Sequence, residues 1–396
     1  MNDHGNETME PDYAGGGLAN LVASVGQGVG APTATPPTPL LDPARVAAAR
    51  VVVFVLVDGL GATAIEGQPD SWLARHQAGT LTSVFPSTTT SALTTFYTGQ
   101  APAAHGLPAW FTWLREAGAV AVPLAHNTRY GHFDLGAAGV LPGPLYTAAP
   151  WAQGADRPVA TCQPGWLQGT PYSRHHATGR RHDLERPAEL PELIDRLAGE
   201  PGPRLLQVYW PAFDALCHQH GTGSEAVRGH FHELDAALAA TAAALPEDGL
   251  LIATADHGLI DVREGGLHEV AALPELASML TLPPCGEGRA PFLYTRDGAQ
   301  EEARAALKDS LGEAITAIHD REAILDGGWL GPGPDHPELA SRIGDLVVEM
   351  APGHVLTGDP WRPGIRQAAV HGGLSRAEMA IPVIIADGGD PGGPAS

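Results

Sequence analysis

The chain contains a series of short apolar runs, most of which end at a turn with polar residues or glycine. The first run, Val51–Val57, has seven consecutive apolar and mostly β-branched residues and is followed by Asp58 and Gly59. Continuous apolar runs of this length are typical of strands buried on both faces of a parallel sheet. The same pattern predicts further strands at residues 205–210, 250–255, 291–295, 345–350 and 381–386.

Alanine-rich segments separate several of these runs. Residues 225–245 and 299–311 have apolar positions three and four apart, which predicts helices. Alternating buried strands and helices predict an α/β fold with a largely parallel central sheet flanked by helices. Residues 140–190 break the alternation, because they are rich in Gly, Pro, His and Arg and show little periodicity. We expect them to form a loop-rich insert over the end of the sheet that carries the functional groups.

The first 44 residues have the composition of a flexible tail. Three glycines occupy positions 15–17, and residues 31–43 are rich in proline. The exception is a weakly apolar segment at residues 18–25, for which docking as a short helix is the alternative. Residues 45–396 are predicted to form a single α/β domain.

Composition and charge narrow the class of protein. With 43% hydrophobic residues in a chain of 396, a substantial core can form, which excludes wholesale disorder. The net charge of −22 argues against binding to nucleic acid or to an anionic membrane, since both need a basic surface. The run Val51–Val57 is far shorter than the ~20 residues of a membrane span, and the acidic N-terminus is unlike a secretory signal. With only three cysteines, we expect a cytoplasmic protein without a disulfide framework.

Histidine is abundant, with 18 residues, and several histidines stand close to carboxylates after predicted strands. Asp256 and His257 directly follow a predicted strand and precede a glycine, whose backbone freedom allows both side chains to reach one ion. Asp214 and His218 are four residues apart, on one face of a predicted helical turn. Each pattern alone also fits a surface pair, a helix cap, an Asx turn or a loop histidine. The complete set of such candidates is Asp58, Asp214, His218, Asp256, His257 and His371.

A cluster of hydroxyl side chains opens another predicted helix. Residues 81–85 predict a short strand that stops at Pro86, after which five hydroxyl residues, 87–91, begin a helix that ends at Gly99. Capping is the alternative explanation, but one hydroxyl is enough to cap a helix. The N-terminus of a helix also attracts phosphate through its free amides and its dipole. A nucleophilic threonine at this position would face a phosphoryl group in a site suited to negative charge.

The order of these features along the chain resembles the alkaline phosphatase superfamily. Within it, the chain is similar to the nucleotide pyrophosphatase/phosphodiesterase (type I phosphodiesterase) branch over roughly residues 50–390. The matching stretches are residues 57–59, residues 85–99 with Pro102 and His105-Gly106, Tyr209 with residues 214–221, residues 254–258, and His371-Gly372 followed by Met379 and Pro382. The resemblance implies an alkaline-phosphatase-like fold and two bound zinc ions, with other divalent metals as the alternative.

The resemblance also implies which residues bind the two ions. The ligands of one zinc ion would be Asp214, His218 and His371. Those of the other would be Asp58, Asp256, His257 and the oxygen of Thr89. Oxygen and nitrogen ligands without a thiolate suit a catalytic zinc better than a structural one.

The nucleophile implied by the resemblance is Thr89, which lies three residues after Pro86 and ten before Gly99. Thr88 and Thr90 remain alternatives. The implied function is a two-zinc phosphodiesterase or nucleotide pyrophosphatase, which hydrolyses small phosphodiester or nucleotide-like substrates through a covalent threonyl-phosphate intermediate. The alternatives are a phosphomonoesterase, a phosphonate hydrolase or phosphotransferase of the same superfamily, and a catalytically weak binding protein.

The chain departs from the family pattern just after the nucleophile. Nucleotide pyrophosphatases typically carry Asn three residues after it, in contact with a phosphate oxygen, whereas this chain has Ala92, followed by Leu93. Arginine binds phosphate well, so a basic segment could supply the contact, with a solvated loop as the alternative. The candidates in that segment are Arg174, His175, His176, Arg180, Arg181 and His182.

For four further residues, a structural role is either an alternative to a functional role or the role that we expect. Trp110 and Trp113 are candidates for a pocket that receives a base or another apolar group, and core packing is the alternative. His105 is outside the implied ligand set, and we expect its side chain to stabilise the turn at Gly106. Cys217 stands between two implied ligands but on the opposite helix face, where we expect it to join the core.

Overall fold

The computed structural model describes residues 3–358 and 367–390, so those parts of the predicted domain that fall on residues 359–366 and 391–396 lie outside the described residues. The strands are, in chain order, β1 (Val51–Val57), β2 (Gln77–Thr82), β3 (Thr112–Leu114), β4 (Ala119–Val122), β5 (Asn127–Thr128), β6 (Val159–Gln163), β7 (Arg180–Asp183), β8 (Arg204–Trp210), β9 (Gly249–Ala255), β10 (Ile260–Asp261), β11 (Leu267–Glu269), β12 (Cys285–Gly286), β13 (Pro291–Leu293), β14 (Ile315–Asp320), β15 (Leu346–Met350), β16 (Val355–Thr357), β17 (Ala369–Val370) and β18 (Ala380–Asp387).

The helices lie between these strands. They are α1 (Leu18–Gly28), α2 (Pro43–Ala48), α3 (Ala62–Glu66), α4 (Trp72–Arg75), α5 (Thr89–Thr98), α6 (Pro102–His105), α7 (Pro142–Leu145), α8 (Gly165–Gln168), α9 (Pro171–His176), α10 (Leu190–Ala198), α11 (Ala212–His220), α12 (Glu225–Ala244), α13 (Pro274–Met279), α14 (Gln300–Leu311), α15 (Arg321–Asp326), α16 (Leu339–Arg342) and α17 (Arg376–Met379). Short 3-10 helices cover Asp3–Asn6, Trp151–Gly154, Pro187–Glu189, Val270–Ala272 and Gly312–Ala314. Over the described ranges, every helix is too short or too polar to cross a membrane.

A seven-stranded sheet, in the order β2-β18-β9-β1-β8-β6-β7, forms the centre of the described residues. All seven residues of β1 are buried, and β1 pairs in parallel with β8 on one side and β9 on the other. β18 runs antiparallel to both of its neighbours. The predicted α/β class with a largely parallel sheet is therefore confirmed. Because β1, β8 and β9 are adjacent and parallel, the residues that follow them meet at one edge of the sheet.

Two of the predicted strands belong to a second sheet. β13 and β15, which correspond to the apolar runs at residues 291–295 and 345–350, pair antiparallel in a four-stranded sheet of order β12-β13-β15-β14. Helices α13 and α14 pack beside this sheet, and a separate hydrophobic cluster fills the space between them. An apolar run predicts a buried strand, but it carries no information about which partner the strand will pair with.

The segment at residues 140–190 differs from the expected loop-rich insert. It contains α7, α8 and α9, and it supplies β6 and β7 to one end of the central sheet. β6 is short, and β7 has the polar sequence Arg-Arg-His-Asp because it is an edge strand, where charged side chains discourage pairing with other chains. Neither strand therefore shows the apolar run that marks β1.

The prediction of a flexible tail at residues 1–44 is wrong, and the alternative of a docked helix at residues 18–25 is confirmed. α1 packs against α2 and α5, and Leu21 and Val22 are fully buried. Its apolar residues recur three and four positions apart, which gives one continuous apolar face. The buried Asn20 side chain donates to the carbonyls of Tyr13 and Pro36 and accepts from the Gly17 amide. These bonds hold the flanking glycine- and proline-rich segments in place.

We expect Leu21→Ala to lower the free energy of unfolding by ~2–4 kcal/mol, because it removes a buried side chain from the interface between α1 and the rest of the protein. Urea denaturation followed by circular dichroism measures this change. The matched control is Gln27→Ala, which alters an exposed position of the same helix and should change the free energy of unfolding by less than ~0.5 kcal/mol. Equal effects of the two substitutions would contradict the docking of α1.

Candidate metal centre and nucleophile

Three neighbouring strands of the central sheet deliver carboxylates to the same edge. Asp58 follows β1, Asp256 follows β9, and Asp214 lies in the first turn of α11, which follows β8. Backbone amides fix these segments relative to one another. The amide of Gly59 donates to Asp256 Oδ1 over 2.9 Å, and the amide of Asp214 donates to the carbonyl of Asp58 over 3.1 Å. The three aspartates are thus positioned by the sheet itself.

Glycine is required after Asp58. Gly59 has a φ of +77°, and a Cβ at this position would lie 2.9 Å from the Cα and the Cβ of Asp214. The left-handed backbone and the missing side chain let the turn after β1 pass directly against the start of α11. Any larger residue would therefore push Asp58 and Asp214 apart.

The histidines are oriented by backbone carbonyls. His371 Nδ1 hydrogen-bonds with the carbonyl of Ser87 over 2.9 Å, and His218 Nδ1 with that of Ala369 over 2.7 Å. The rings of His257 and His371 stack with their centres 3.8 Å apart. Such bonds to Nδ1 assign the proton to that nitrogen and leave Nε2 free to bind a metal.

The structure brings the six candidate ligands together. Ligand atoms of Asp214, His218 and His371 all lie within 4.8 Å of one another, and so do those of Asp58, Asp214 and His257. Asp256 adjoins the second group, with Oδ2 3.4 Å from His257 Nε2. The first group has the same members as one of the ligand sets implied by the family resemblance. The second differs, because Asp214 lies between the two groups and takes part in both.

The side chains of this centre fit a pair of divalent cations. Asp214 Oδ1 and Asp256 Oδ2 are buried and have no hydrogen-bond partner among the described residues. Burial raises the pKa of Asp58 and of Asp214 well above the usual range and raises the pKa of Asp256 to about 7. Ionised carboxylates in such a place are costly unless a cation compensates them.

The imidazole side chains of the centre add nitrogen ligands to the carboxylate oxygens. Burial lowers the pKa of His257 to about 3 and that of His218 to about 4, and it lowers the pKa of His371 well below the usual range. Near neutral pH these rings are uncharged and offer a lone pair. Carboxylate oxygens and neutral imidazole nitrogens are typical ligands of a catalytic zinc.

Thr89 is the hydroxyl residue that faces the centre. It is the first residue of α5, and its Oγ1 lies 3.3 Å from Asp58 Oδ1 and 3.2 Å from His257 Nε2. The two alternatives face elsewhere. Thr88 Oγ1 donates to Glu287, and Thr90 Oγ1 is buried without a hydrogen-bond partner in the described part of the chain. The register chosen from the sequence therefore has the geometry that a nucleophile at this centre requires.

Other residues that the sequence suggested lie away from the centre. Ala92 and Leu93 belong to the main hydrophobic core. Arg180 forms an ion pair with Glu200, and Arg181 donates to the carbonyl of Gln168. Arg174 is exposed, His176 is buried beside Tyr172, and His175 and His182 are partly buried. Within the described ranges, the side chains of the basic segment make no hydrogen bond to the centre.

The residues with a structural interpretation behave largely as expected. His105 Nδ1 accepts from the amide of Leu107 and so serves the turn, and Cys217 is buried in the core. Trp110 and Trp113 are half-buried, and Trp113 packs against a hydrophobic cluster, in keeping with the alternative of core packing.

Three further contacts at the centre were not anticipated. Tyr209 lies within a matching stretch, but its role becomes visible only in three dimensions, where its hydroxyl donates to Asp58 Oδ2 over 2.5 Å. Arg289 and Glu378 form a buried bidentate ion pair of 3.0 Å. Glu287 accepts the hydroxyl of Thr88 from a turn almost 200 residues away. Such long-range partners leave no local signal in the sequence.

The fold and this centre define a hydrolase of the alkaline phosphatase superfamily. The model of the type I phosphodiesterase / nucleotide pyrophosphatase family matches residues 52–374, and the chain belongs to that family. The resemblance found in the sequence is therefore confirmed. A search among curated proteins gave no significant match.

Solved structures share the fold at low sequence identity. Murine ectonucleotide pyrophosphatase / phosphodiesterase 5 is 16% identical, with a TM-score of 0.63 over 85% of this chain and 87% of that chain. An inactive variant of the murine protein in complex with AMP has a TM-score of 0.61 at 17% identity, with the same coverage. Phosphonoacetate hydrolase from Sinorhizobium meliloti, in complex with phosphonoformate, has a TM-score of 0.62 at 18% identity over 85% of this chain and 90% of that chain.

The buried groups give the metal-free protein a defined pH dependence. Where folding raises the pKa of a carboxyl group, the protein loses stability as the pH rises through that pKa. Where folding lowers the pKa of a histidine, the protein gains stability with rising pH only up to the unfolded pKa of about 6.5. Above that pH, the carboxyls whose pKa is raised still contribute, among them Asp58, Asp214, Asp256 and Glu287. We therefore expect the unfolding temperature of the metal-free protein to fall between about pH 6.5 and about pH 8, as measured by calorimetry.

Added Zn²⁺ should remove this decline, because a bound cation favours the ionised carboxylates. The variant Asp214→Asn lacks one of the titrating groups, and its metal-free form should show a smaller decline. An unfolding temperature of the metal-free wild type that stays constant or rises over this range would contradict the assigned centre.

Proposed function

We propose that the chain is a two-zinc phosphodiesterase, which hydrolyses small phosphodiester or nucleotide-like substrates through a covalent threonyl-phosphate intermediate. The observation that carries the proposal is the position of Thr89. Its hydroxyl stands at the N-terminus of α5, within 3.3 Å of Asp58 Oδ1 and of His257 Nε2. Membership of the type I phosphodiesterase family supports the same reaction class.

Groups of the protein orient the nucleophile and stabilise the negative charge of the phosphoryl group. Thr89 Oγ1 donates to the Asp58 carboxylate, which points the oxygen lone pairs towards an incoming phosphorus. Tyr209 holds the other oxygen of Asp58 and so prevents this carboxylate from rotating. The free amides of the first turn of α5 are available to the non-bridging oxygens of the phosphoryl group. Two divalent cations would supply the remaining charge stabilisation and lower the pKa of the nucleophile.

The reaction takes place in two displacements. In the first, Thr89 Oγ1 forms a bond to phosphorus as the bond to the leaving oxygen breaks, and the threonine proton is lost. In the second, water forms a bond to phosphorus and the bond to Thr89 breaks, which restores the hydroxyl. Each displacement inverts phosphorus, so the two together preserve its configuration.

The charge of the surroundings favours a diester over a monoester. The sequence neighbours of Thr89 carry no cation: they are Ser87, Thr88, Thr90, Ser91, Ala92 and Leu93. Ala92 and Leu93 are core residues, so the argument depends on charge and not on an apolar pocket. Another carboxylate, Glu287, bonds to Thr88 and contributes to the raised pKa of Asp214. It would repel a phosphate dianion more strongly than a diester monoanion.

We expect Thr89→Ala to abolish turnover of an aryl phosphodiester while the fold and the metal content stay close to wild type. The substitution removes the nucleophilic oxygen, and this hydroxyl bonds to Asp58 and His257 rather than to the backbone of α5. Turnover is measured spectrophotometrically, the metal content by elemental analysis and the fold by circular dichroism.

The matched control is Thr90→Ala, the next residue of the same helix, whose hydroxyl does not face the centre. It should retain most of the activity. Loss of turnover in Thr90→Ala together with an active Thr89→Ala would show that the register of the nucleophile is wrong.

We also expect the metal-loaded enzyme to prefer a diester. The comparison uses kcat/KM for an aryl phosphate and for the corresponding alkyl aryl diester at one pH and one ionic strength. The acidic surroundings predict a higher kcat/KM for the diester. A preference for the monoester of about tenfold, equivalent to about 1.4 kcal/mol of transition-state free energy, would favour a phosphomonoesterase instead.

A further inference from the structure

The N-terminal segment, residues 7–17, lies across the loop that precedes α17. The amide of Met9 donates to the carbonyl of Leu374, and the amide of Arg376 donates to the carbonyl of Glu7, each over 2.7 Å. These two bonds form a short antiparallel pairing between the segment and the loop. Because the side chain of Glu7 is exposed and that of Met9 is only half-buried, the contact depends mainly on the backbone.

The loop held in this way begins at a candidate metal ligand. His371 is followed by Gly372 and Gly373, whose backbones are not restricted by a side chain. The amide of Gly372 donates to Ser87 Oγ over 3.2 Å, which fixes the first part of the loop. The N-terminal segment holds the second part, residues 374–376, and thereby limits the freedom of the two glycines.

A second anchor of the N-terminal segment lies at the end of β2. Thr82 Oγ1 accepts the amide of Asp12 over 2.8 Å, and the amide of Thr82 donates to the carbonyl of Gly16 over 2.8 Å. The next residue, Ser83, donates its hydroxyl to the carbonyl of Asp256. Both anchors of the segment therefore adjoin stretches of chain that carry candidate metal ligands.

The N-terminal segment has a defined path of its own. A Cβ on Gly17 would overlap with the carbonyl oxygen of Asp12, and one on Gly16 would overlap with the carboxylate of the same residue. The hydroxyl of Tyr13 donates to the carbonyl of Trp329 over 3.0 Å. The match to the family model begins only at residue 52, so membership of the family does not account for this segment.

We propose that residues 7–17 are a positioning segment, which holds the loop after His371 and so raises the affinity of the centre for divalent cations. Groups that orient a metal ligand typically change the metal affinity by about ten- to a hundredfold. Because the coupling between two binding events is reciprocal, an ion in the centre also favours the docked position of the segment. The inference concerns the metal centre and is independent of the substrate that reacts at Thr89.

The first experiment measures the affinity of the full chain for Zn²⁺ by competition with a chromophoric chelator. Met9→Pro removes the amide that donates to Leu374, and the matched control Met9→Ala keeps that amide while it also loses the methionine side chain. We expect the Kd for Zn²⁺ to be about tenfold higher in Met9→Pro than in Met9→Ala. A deletion of residues 1–10 removes the whole pairing and should weaken binding at least as much.

A further control separates positioning from a general loss of stability. Leu307→Ala destabilises the cluster between α14 and the second sheet, and it should leave the affinity for Zn²⁺ unchanged. Equal affinities of Met9→Pro and Met9→Ala would overturn the proposal. A loss of affinity in Leu307→Ala as large as that in Met9→Pro would overturn it too, because the effect would then reflect stability alone.

The second experiment uses the wild type and does not depend on whether a variant folds. Hydrogen exchange followed by mass spectrometry should show that Zn²⁺ slows exchange of the amides in residues 7–17 by about tenfold, the same factor as the gain in affinity. Residues 300–311, on the second sheet, should change less. Exchange at residues 7–17 that is indifferent to Zn²⁺ would overturn the proposal.

The outcome for the metal centre is distinguishable from that for the proposed function. A wild type that binds no Zn²⁺ overturns the assigned centre and this proposal with it. A wild type that binds Zn²⁺ with the expected dependence on Met9 but hydrolyses no phosphodiester supports the positioning role and overturns only the proposed function.

Discussion

The burial of three carboxylates at one edge of the central sheet is the constraint around which this protein is organised. Asp58, Asp214 and Asp256 are brought together by three adjacent parallel strands, and burial opposes the ionisation of each of them. The neighbouring imidazoles are neutral and cannot compensate them. Such a cluster is stable as an anionic site only when cations occupy it. The geometry of the strands, the glycine turn after β1 and the orientation of the histidines all place ligand atoms where such cations would bind.

A single ion pair connects this centre to the second sheet. The carboxylate of Glu378 binds Arg289 through both oxygens and also accepts the amide of Gly373, two residues after His371. The carbonyl of Glu378 accepts the amide of Gly258, the residue after His257. Arg289 in turn donates to backbone carbonyls near the end of β15. The two histidine segments are therefore fixed to one residue, Glu378, one through its side chain and the other through its backbone carbonyl, and the antiparallel sheet supports that residue through Arg289.

The parts of the fold that could be predicted from the sequence are those with a local signal. β1, β8 and β9 are marked by runs of mostly apolar residues, and the ligand candidates follow them closely, so their meeting at one sheet edge could be inferred. α1 was hidden because its short apolar face lies between glycine- and proline-rich segments, which are held in place by Asn20. β7 was hidden by the charges that protect an edge strand. Glu287 could not be found because only the tertiary fold brings it to Thr88.

The position of β18 has a consequence for synthesis of the chain on the ribosome. This strand follows the other six strands of the central sheet in the chain, yet it is inserted between β2 and β9 in the interior of the sheet. Until residues 380–387 have emerged from the exit tunnel, β2 has no partner in the sheet and β9 presents an open apolar edge. The central sheet must therefore remain incompletely folded until this strand has been synthesised, and the nascent chain is exposed to aggregation during that time. A chain that stops before residue 380 would lack an internal strand of the sheet, and the apolar edge of β9 would stay open.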